Sequence, residues 1–298
     1  MQTYKISDDK LFGEWANSAK FLEKIIDLIS PIDINDFDNP KQIQELIDTN
    51  NRIISFKKSD YGKFQSLKLN ENMSYRFNPF VRLQHCNRLV AKYYKILPKI
   101  IEESPNSSFH FLTMNIPHCE ISDLKQNLKH LGSSLTKFLK LPEIARLLKN
   151  GGYYAVFETS LHDGMFVPHI HIVLNFPPRF KNGANYLTPE KFQKLWIDVV
   201  KFPNATAHIT EIKPNDTQSL IDGAVARIKY VNKLSKLEFL TKHKDFTFEF
   251  LNQTSDAILE RSRGTLAYKK IKLDAAKNVE QNYELASVDF KNDEVFYY

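Results

Sequence analysis

One short stretch constrains this chain more than any other: FVPHIHIVLNF, Phe166 to Phe176. Its Ile, Val, Leu and Phe content reads as a strand, and side chains two apart in a strand point to the same face. His169 and His171 therefore share a face. Neutral imidazole is the commonest protein metal ligand, so the two either share a metal or are ordinary strand histidines. Spacing alone leaves both readings open.

The preceding residues sharpen the choice. In ETSLHDGMFVPHIH, Asp163 and Gly164 form a strong signal for a two-residue hairpin turn, because both tolerate positive φ. Pairing outward from that turn sets Glu158 directly opposite His169. Opposite residues share a face, with Cβ atoms roughly 4.5–5.5 Å apart. Glu158, His169 and His171 are then expected to converge from neighbouring strands. One carboxylate and two imidazoles, with positions left for water and phosphate oxygens, suit Mg²⁺ or Mn²⁺ at a catalytic site. A longer loop, or a bulge near Pro168, would turn Glu158 to the other face.

A second element lies in RIKYVNKLSK, residues 227–236. At 100° per residue, Ile221, Ala224, Val225, Ile228 and Val231 fall on one side of a helix spanning Thr217–Lys236. Tyr230 lies opposite their centre, with Arg227 and Lys233 about 60° to either side. It is a poor core residue, and the two cations give a phosphate somewhere to bind. Tyrosine can act as a covalent nucleophile, and a phosphodiester is the matching electrophile. The plain alternative is a surface tyrosine lying beside charged neighbours.

The 298 residues suffice for one large domain or a domain with appendages. The longest apolar runs are too short to span a bilayer, and the start MQTYKISDDKLFGEW lacks the layout of a signal peptide. A cytoplasmic protein without a membrane partner is expected. The two cysteines, Cys86 and Cys119, form no CxxC pair, so neither a disulfide framework nor a cysteine zinc site is indicated. The net charge of +6 permits a polyanionic partner, and basic residues cluster at 227–236 and 268–272.

Along the chain, helices are expected around Leu11–Ile29, Lys41–Ile54 and Val81–Glu103. From Phe109 the pattern changes to strand, helix, strand, strand, helix, strand, helix. Ser122 is the expected N-cap of the first of these helices, and Thr188, followed by Pro189, that of the second. The order predicts an α+β fold, a largely antiparallel central sheet with flanking helices, preceded by a mostly helical N-terminal region. Three segments follow: 1–104, 105–250, and a tail, 251–298, whose pattern is mixed.

FLTMNIP, then GYYAVFETSLHDGMFVPHIHIVLNF, then ARIKYVNKLSK together resemble the three motifs of rolling-circle replication initiators of the plasmid Rep type, within the HUH endonuclease superfamily. The resemblance covers about Phe109 to Lys236 and extends weakly into YRFNPFVRLQHCNRLVAKYYKIL upstream. It implies an HUH/Rep endonuclease-like fold for 105–250 and a single-tyrosine nickase activity. His169 and His171 match the metal-binding histidines, Glu158 the acidic residue on the preceding strand, and Tyr230 the nucleophile that becomes joined to a 5′ phosphate, leaving a 3′ hydroxyl as primer. Lys233 matches the lysine of YxxK, and Phe111, Leu112 and Thr113 match the first motif. Arg227, Lys229 and Lys236 are the expected DNA contacts. Implied partners are single-stranded or hairpin DNA, a host helicase and polymerase, and a second copy of the chain. No GxxxxGK[ST] loop supplies an ATPase of its own. For 1–104 a role in DNA recognition or oligomerisation is expected.

Two departures stand out. Ala226 occupies the place where single-tyrosine members often carry a glutamate, and the cysteines of the family's lead-in are mostly absent. Tyr268 sits in a context matching no motif. Three rival readings remain: a transposase or relaxase using the same chemistry, a metal-dependent phosphohydrolase, and a DNA-binding descendant without catalysis. A histidine-triad hydrolase would want a third histidine at Val173.

Overall fold

The computed structural model describes residues 3–5, 13–50, 53–58, 64–66, 78–178, 180, 186–213, 216–232, 239–241, 244–255, 260–267, 285–289 and 294–297. The strands in chain order are β1 (Thr3–Lys5), β2 (Ile53–Lys58), β3 (Phe64–Ser66), β4 (Ser108–Asn115), β5 (Gly152–His162), β6 (Met165–Phe176), β7 (Ala207–Glu211), β8 (Glu260–Gly264), β9 (Leu285–Asp289) and β10 (Glu294–Tyr297). The helices are α1 (Gly13–Ile29), α2 (Pro40–Asn50), α3 (Pro79–Glu103), α4 (Leu124–Lys140), α5 (Pro142–Leu147), α6 (Pro189–Val200), α7 (Thr217–Val231) and α8 (Lys244–Thr254).

These elements group into two compact units, neither continuous in sequence. The first takes residues 1–91, 232–255 and 272–298, the second 92–231 and 256–271. The first unit combines helices with a five-stranded antiparallel sheet of order β1-β10-β9-β2-β3. The N-terminal region is thus helical with strands added. The helix expected over Lys41–Ile54 ends at Asn50, and Ile53 already opens β2. The tail, unreadable from its own pattern, supplies β9 and β10. Asp38 and Asn252 join the α2 entrance to α8, with the Asn252 Oδ1 accepting from the Asp38 amide at 3.0 Å.

The second unit is the predicted α+β arrangement: a five-stranded antiparallel sheet of order β7-β4-β6-β5-β8 with helices on both faces. Strand alternation assigns the faces. On β6, Ile170, Ile172, Leu174 and Phe176 point one way and meet Leu112 and Met114 of β4 and Ala155 and Phe157 of β5. Over them lie Leu131, Leu135 and Phe138 of α4 and Phe192, Trp196 and Val200 of α6, all buried. The Trp196 indole donates to the Asn115 carbonyl at 2.8 Å, so the largest core side chain brings its one polar atom a partner. The opposite face of β4 and β6 carries α7.

Helix starts show where local signals held. Thr188 caps α6, its hydroxyl accepting from the Lys191 amide at 3.2 Å, with Pro189 at the first position. Ser122 does not cap α4. It lies in a 3₁₀ turn, Ile121–Asp123, which runs straight into the α-helix, so Asp123 takes the cap position and makes no side-chain cap bond. A preceding turn already supplies helical backbone there, which removes the need for a side-chain cap. Among the described residues no helix is long and apolar enough to cross a membrane.

Candidate active site

The β5–β6 hairpin turns at Asp163 and Gly164, whose φ values of 49° and 79° are both positive. That conformation matches the twist of the flanking strands and needs residues that tolerate left-handed backbone. It sets His162 opposite Met165 and, four pairs further out, Glu158 opposite His169. No bulge interrupts the ladder, and Pro168 simply pairs with Thr159.

The three predicted ligands meet. The Glu158 Oε2 lies 3.3 Å from the His169 Nε2 and 3.2 Å from the His171 Nε2. One ligand atom from each residue falls within a 4.8 Å cluster. Bonds of about 2.1 Å to a common ion would place neighbouring ligands about 3.0 Å apart in an octahedron and about 3.4 Å in a tetrahedron. The measured separations fall between these values.

The other ring nitrogens are held too. The His169 Nδ1 is 2.8 Å from the Val167 carbonyl. A carbonyl only accepts, so Nδ1 carries a proton, and in the neutral ring Nε2 turns a lone pair towards Glu158. The His171 Nδ1 is 3.0 Å from the Thr113 hydroxyl. Thr113 pairs with His171 across β4 and β6, which is why the two side chains share a face. An imidazole oriented by its distal nitrogen is the usual partner shell of a metal ligand. Glu158 and His171 are each only 7% exposed, and lone pairs gathered at such depth require a cation between them, a proton or a metal ion. The donor set therefore fits a divalent metal.

Tyr230 stands beside this cluster. The apolar stripe of α7, Ile221, Ala224, Val225, Ile228 and Val231, is buried, while Tyr230 is 40% exposed. Its ring centroid lies 6.0 Å from that of His171, at 73°. Phe111 forms a second link between sheet and helix. It stacks on His171 at 5.2 Å and 15°, and the Arg227 guanidinium lies 5.3 Å from its centroid. Arg227 thus reaches the cluster through an aromatic wedge. Lys229 lies near the Tyr94 hydroxyl, which donates to the Asp222 carboxylate at 3.1 Å. Burial and Asp222 push that hydroxyl's pKa up, while Lys229 pulls it down. Lys233, Lys236 and Tyr268 lie outside the described residues. Ala226 is exposed, one turn before Tyr230.

The match of Phe111 and Thr113 to the first motif gives neither a task. The stacking and the hydrogen bond to His171 depend on the pairing of β4 with β6, across 58 residues for Thr113 and His171. No local pattern encodes that pairing.

The profile of a family described as "Replication protein" matches residues 67–295. The chain is similar to Protein rep of Lentilactobacillus hilgardii, 25% identical over 142 residues, which is 46% of this chain and 45% of the relative. It is similar to Protein rep of Staphylococcus aureus, 22% identical over 184 residues, 60% of this chain and 79% of that protein. The match thus spans under half the length of the first relative and most of the second. No solved structure matches the chain. A profile covering the hairpin, its ligand cluster and the tyrosine helix together leaves one assignment: the chain belongs to the replication-protein family.

Proposed function

We propose that this protein initiates rolling-circle replication of a plasmid by nicking its DNA and later rejoining the strand. The observation that carries the reading is an exposed tyrosine, Tyr230, with its ring 6.0 Å from a histidine of the Glu158–His169–His171 cluster. The family match and the rep relatives support it.

In this mechanism Glu158, His169 and His171 hold Mg²⁺ or Mn²⁺, which when bound polarises the scissile phosphate and offsets the charge that builds on its oxygens. The Tyr230 hydroxyl gives up its proton and its oxygen attacks the phosphorus. The bond from phosphorus to the 3′ oxygen breaks, and that oxygen takes up a proton. The products are a 5′-phosphotyrosine and a 3′ hydroxyl able to prime synthesis. The bond energy stays in the phosphotyrosine, so the reverse attack rejoins a strand without ATP. Phe111 and Thr113 fix the ring of His171, and Arg227 adds positive charge beside it. Lys233 positions the scissile phosphate, and Lys229 and Lys236 contact the DNA backbone.

The substrate is single-stranded or hairpin origin DNA, because the phosphate must be splayed into the site. A host helicase and polymerase complete replication in the cytoplasm. With Ala226 at the place of the usual glutamate, another acid or a second copy of the chain ends the reaction. Residues 1–104 serve origin recognition or oligomerisation. A histidine-triad hydrolase is the weaker reading, since Val173 fills the third position of that strand face and is buried.

The test uses the purified chain, Mn²⁺ and single-stranded oligonucleotides from its own replicon, resolved on a denaturing gel. The expected result is a protein–DNA adduct, mapped to Tyr230 by peptide mass spectrometry and absent from Tyr230→Phe. Cleavage without an adduct would instead make water the nucleophile and the protein a phosphohydrolase.

A further inference from the structure

A second feature of the same unit lies on the other side of its sheet. Where α4, α5, the beginning of β5 and the end of β8 meet, a cleft of about 650 Å³ opens, lined among others by Lys140, Arg146, Lys149, Tyr153 and Arg263. Among the described residues no carboxylate lines it. Register places it relative to the active site. Arg263 pairs with Tyr153, five residues before Glu158 on β5. Five is an odd number of strand steps, so Tyr153 and Arg263 face away from the Glu158–His169–His171 cluster.

The cleft is rigidly built. Gly151 and Gly264 cross so closely that a Cβ on Gly264 would collide with the Gly151 carbonyl, and Gly264 has φ 70°. Thr265 donates its amide to the Gly151 carbonyl at 3.2 Å. The neighbouring Arg261 is spent on packing: its guanidinium donates to the Gly132 carbonyl at 2.8 Å and to the Thr136 hydroxyl at 2.6 Å, and lies over Phe157. β8 is thereby clipped to α4, and Arg263 is held at the mouth of the cleft. Burial raises the Tyr153 hydroxyl's pKa, while Arg261 and Arg263 lower it, which places both guanidinium charges near the cleft wall.

We propose that this cleft is a second DNA-binding site, which grips the sugar–phosphate backbone of DNA lying outside the scissile segment. Lys140, Arg146, Lys149 and Arg263 are all exposed, so they meet a passing polyanion from the rim rather than enclosing a small molecule. Point charges without a buried polar reader give contact to phosphates and no base selection. Because the sheet separates cleft and cluster, only DNA extending past the nick reaches both. The proposal rests on the reading of the chain as a DNA-nicking protein.

The test measures binding of the full chain to a labelled origin fragment by fluorescence anisotropy, across about 50 to 300 mM NaCl. Each lost phosphate contact lowers the slope of log K against log salt by about 0.7 to 0.9. The triple variant Lys140→Gln, Lys149→Gln, Arg263→Gln is expected to lose about 2 to 3 from that slope. A control with the same charge change on α4 and α6, Lys129→Gln, Lys191→Gln, Lys194→Gln, is expected to lose under half as much. If the triple variant does not fold, Lys149→Gln alone replaces it, with an expected loss of about 0.7 to 0.9. Equal slopes for wild type and variant, or an equal loss in the control, overturn the cleft while leaving the nicking reading intact. Unchanged DNA slopes with loss of ATP binding would make it a nucleotide pocket and also overturn it. Wild-type protein that binds no DNA sinks both readings.

Discussion

The two faces of the five-stranded sheet are made by the same strands and obey opposite rules. Ile170 and Ile172 of β6 are fully buried among the side chains of α4 and α6. His169 and His171, each one residue away, join Glu158 to form a cluster of donors. The first face is stabilised by the apolar area it removes from water. The second holds a carboxylate and two imidazoles at a depth where each would be costly alone, a cost that a shared proton or metal ion would offset. The pleat lets a single hairpin carry a core and a site with no change of backbone.

This contrast can be broken by substituting neighbours. The largest effect is expected from Ile172→Ala, which should lower unfolding free energy by about 2–5 kcal/mol in thermal or chemical denaturation. It should leave intact the rise in melting temperature expected of the wild type on adding Mn²⁺. His171→Ala should do the reverse. Wild type gains about 2.7 kcal/mol at a metal concentration one hundred times the dissociation constant, and the variant should lose nearly all of that gain. A Mn²⁺ response that survives His171→Ala would mean that the cluster is not the metal site. The smallest effect sharpens the comparison: Thr113→Val keeps the shape but removes the hydroxyl beside the His171 Nδ1. Metal affinity by calorimetry should fall about 10- to 100-fold, as for other second partners of metal-bound histidines, with little loss of stability.

What could be read from residues alone follows the range of the forces involved. The hairpin needs only Asp163 and Gly164 and the alternation around them, and Glu158 opposite His169 follows from counting. The exposed place of Tyr230 needs only the helical repeat. The cap at Thr188 is equally local, whereas Ser122 failed as a cap because the backbone before α4 was already turning. In the tail, β9 and β10 carry no legible pattern of their own, since each becomes a strand by pairing with β2 and β1 from the far end of the chain.

By itself, then, the sequence determined the turn, the strand period, the helix stripe and hence which side chains of the hairpin and of α7 are presented for chemistry. The tertiary structure alone decided the neighbours: β4 beside β6, which gives His171 its Thr113 and Phe111, and β8 beside β5, which brings Arg263 to the basic cleft. The physical reason is chain closure. A turn costs the entropy of a few residues, and its residue types repay that locally. A pairing across many tens of residues is stabilised only when the whole apolar face closes over it, so no short stretch of sequence carries its signature.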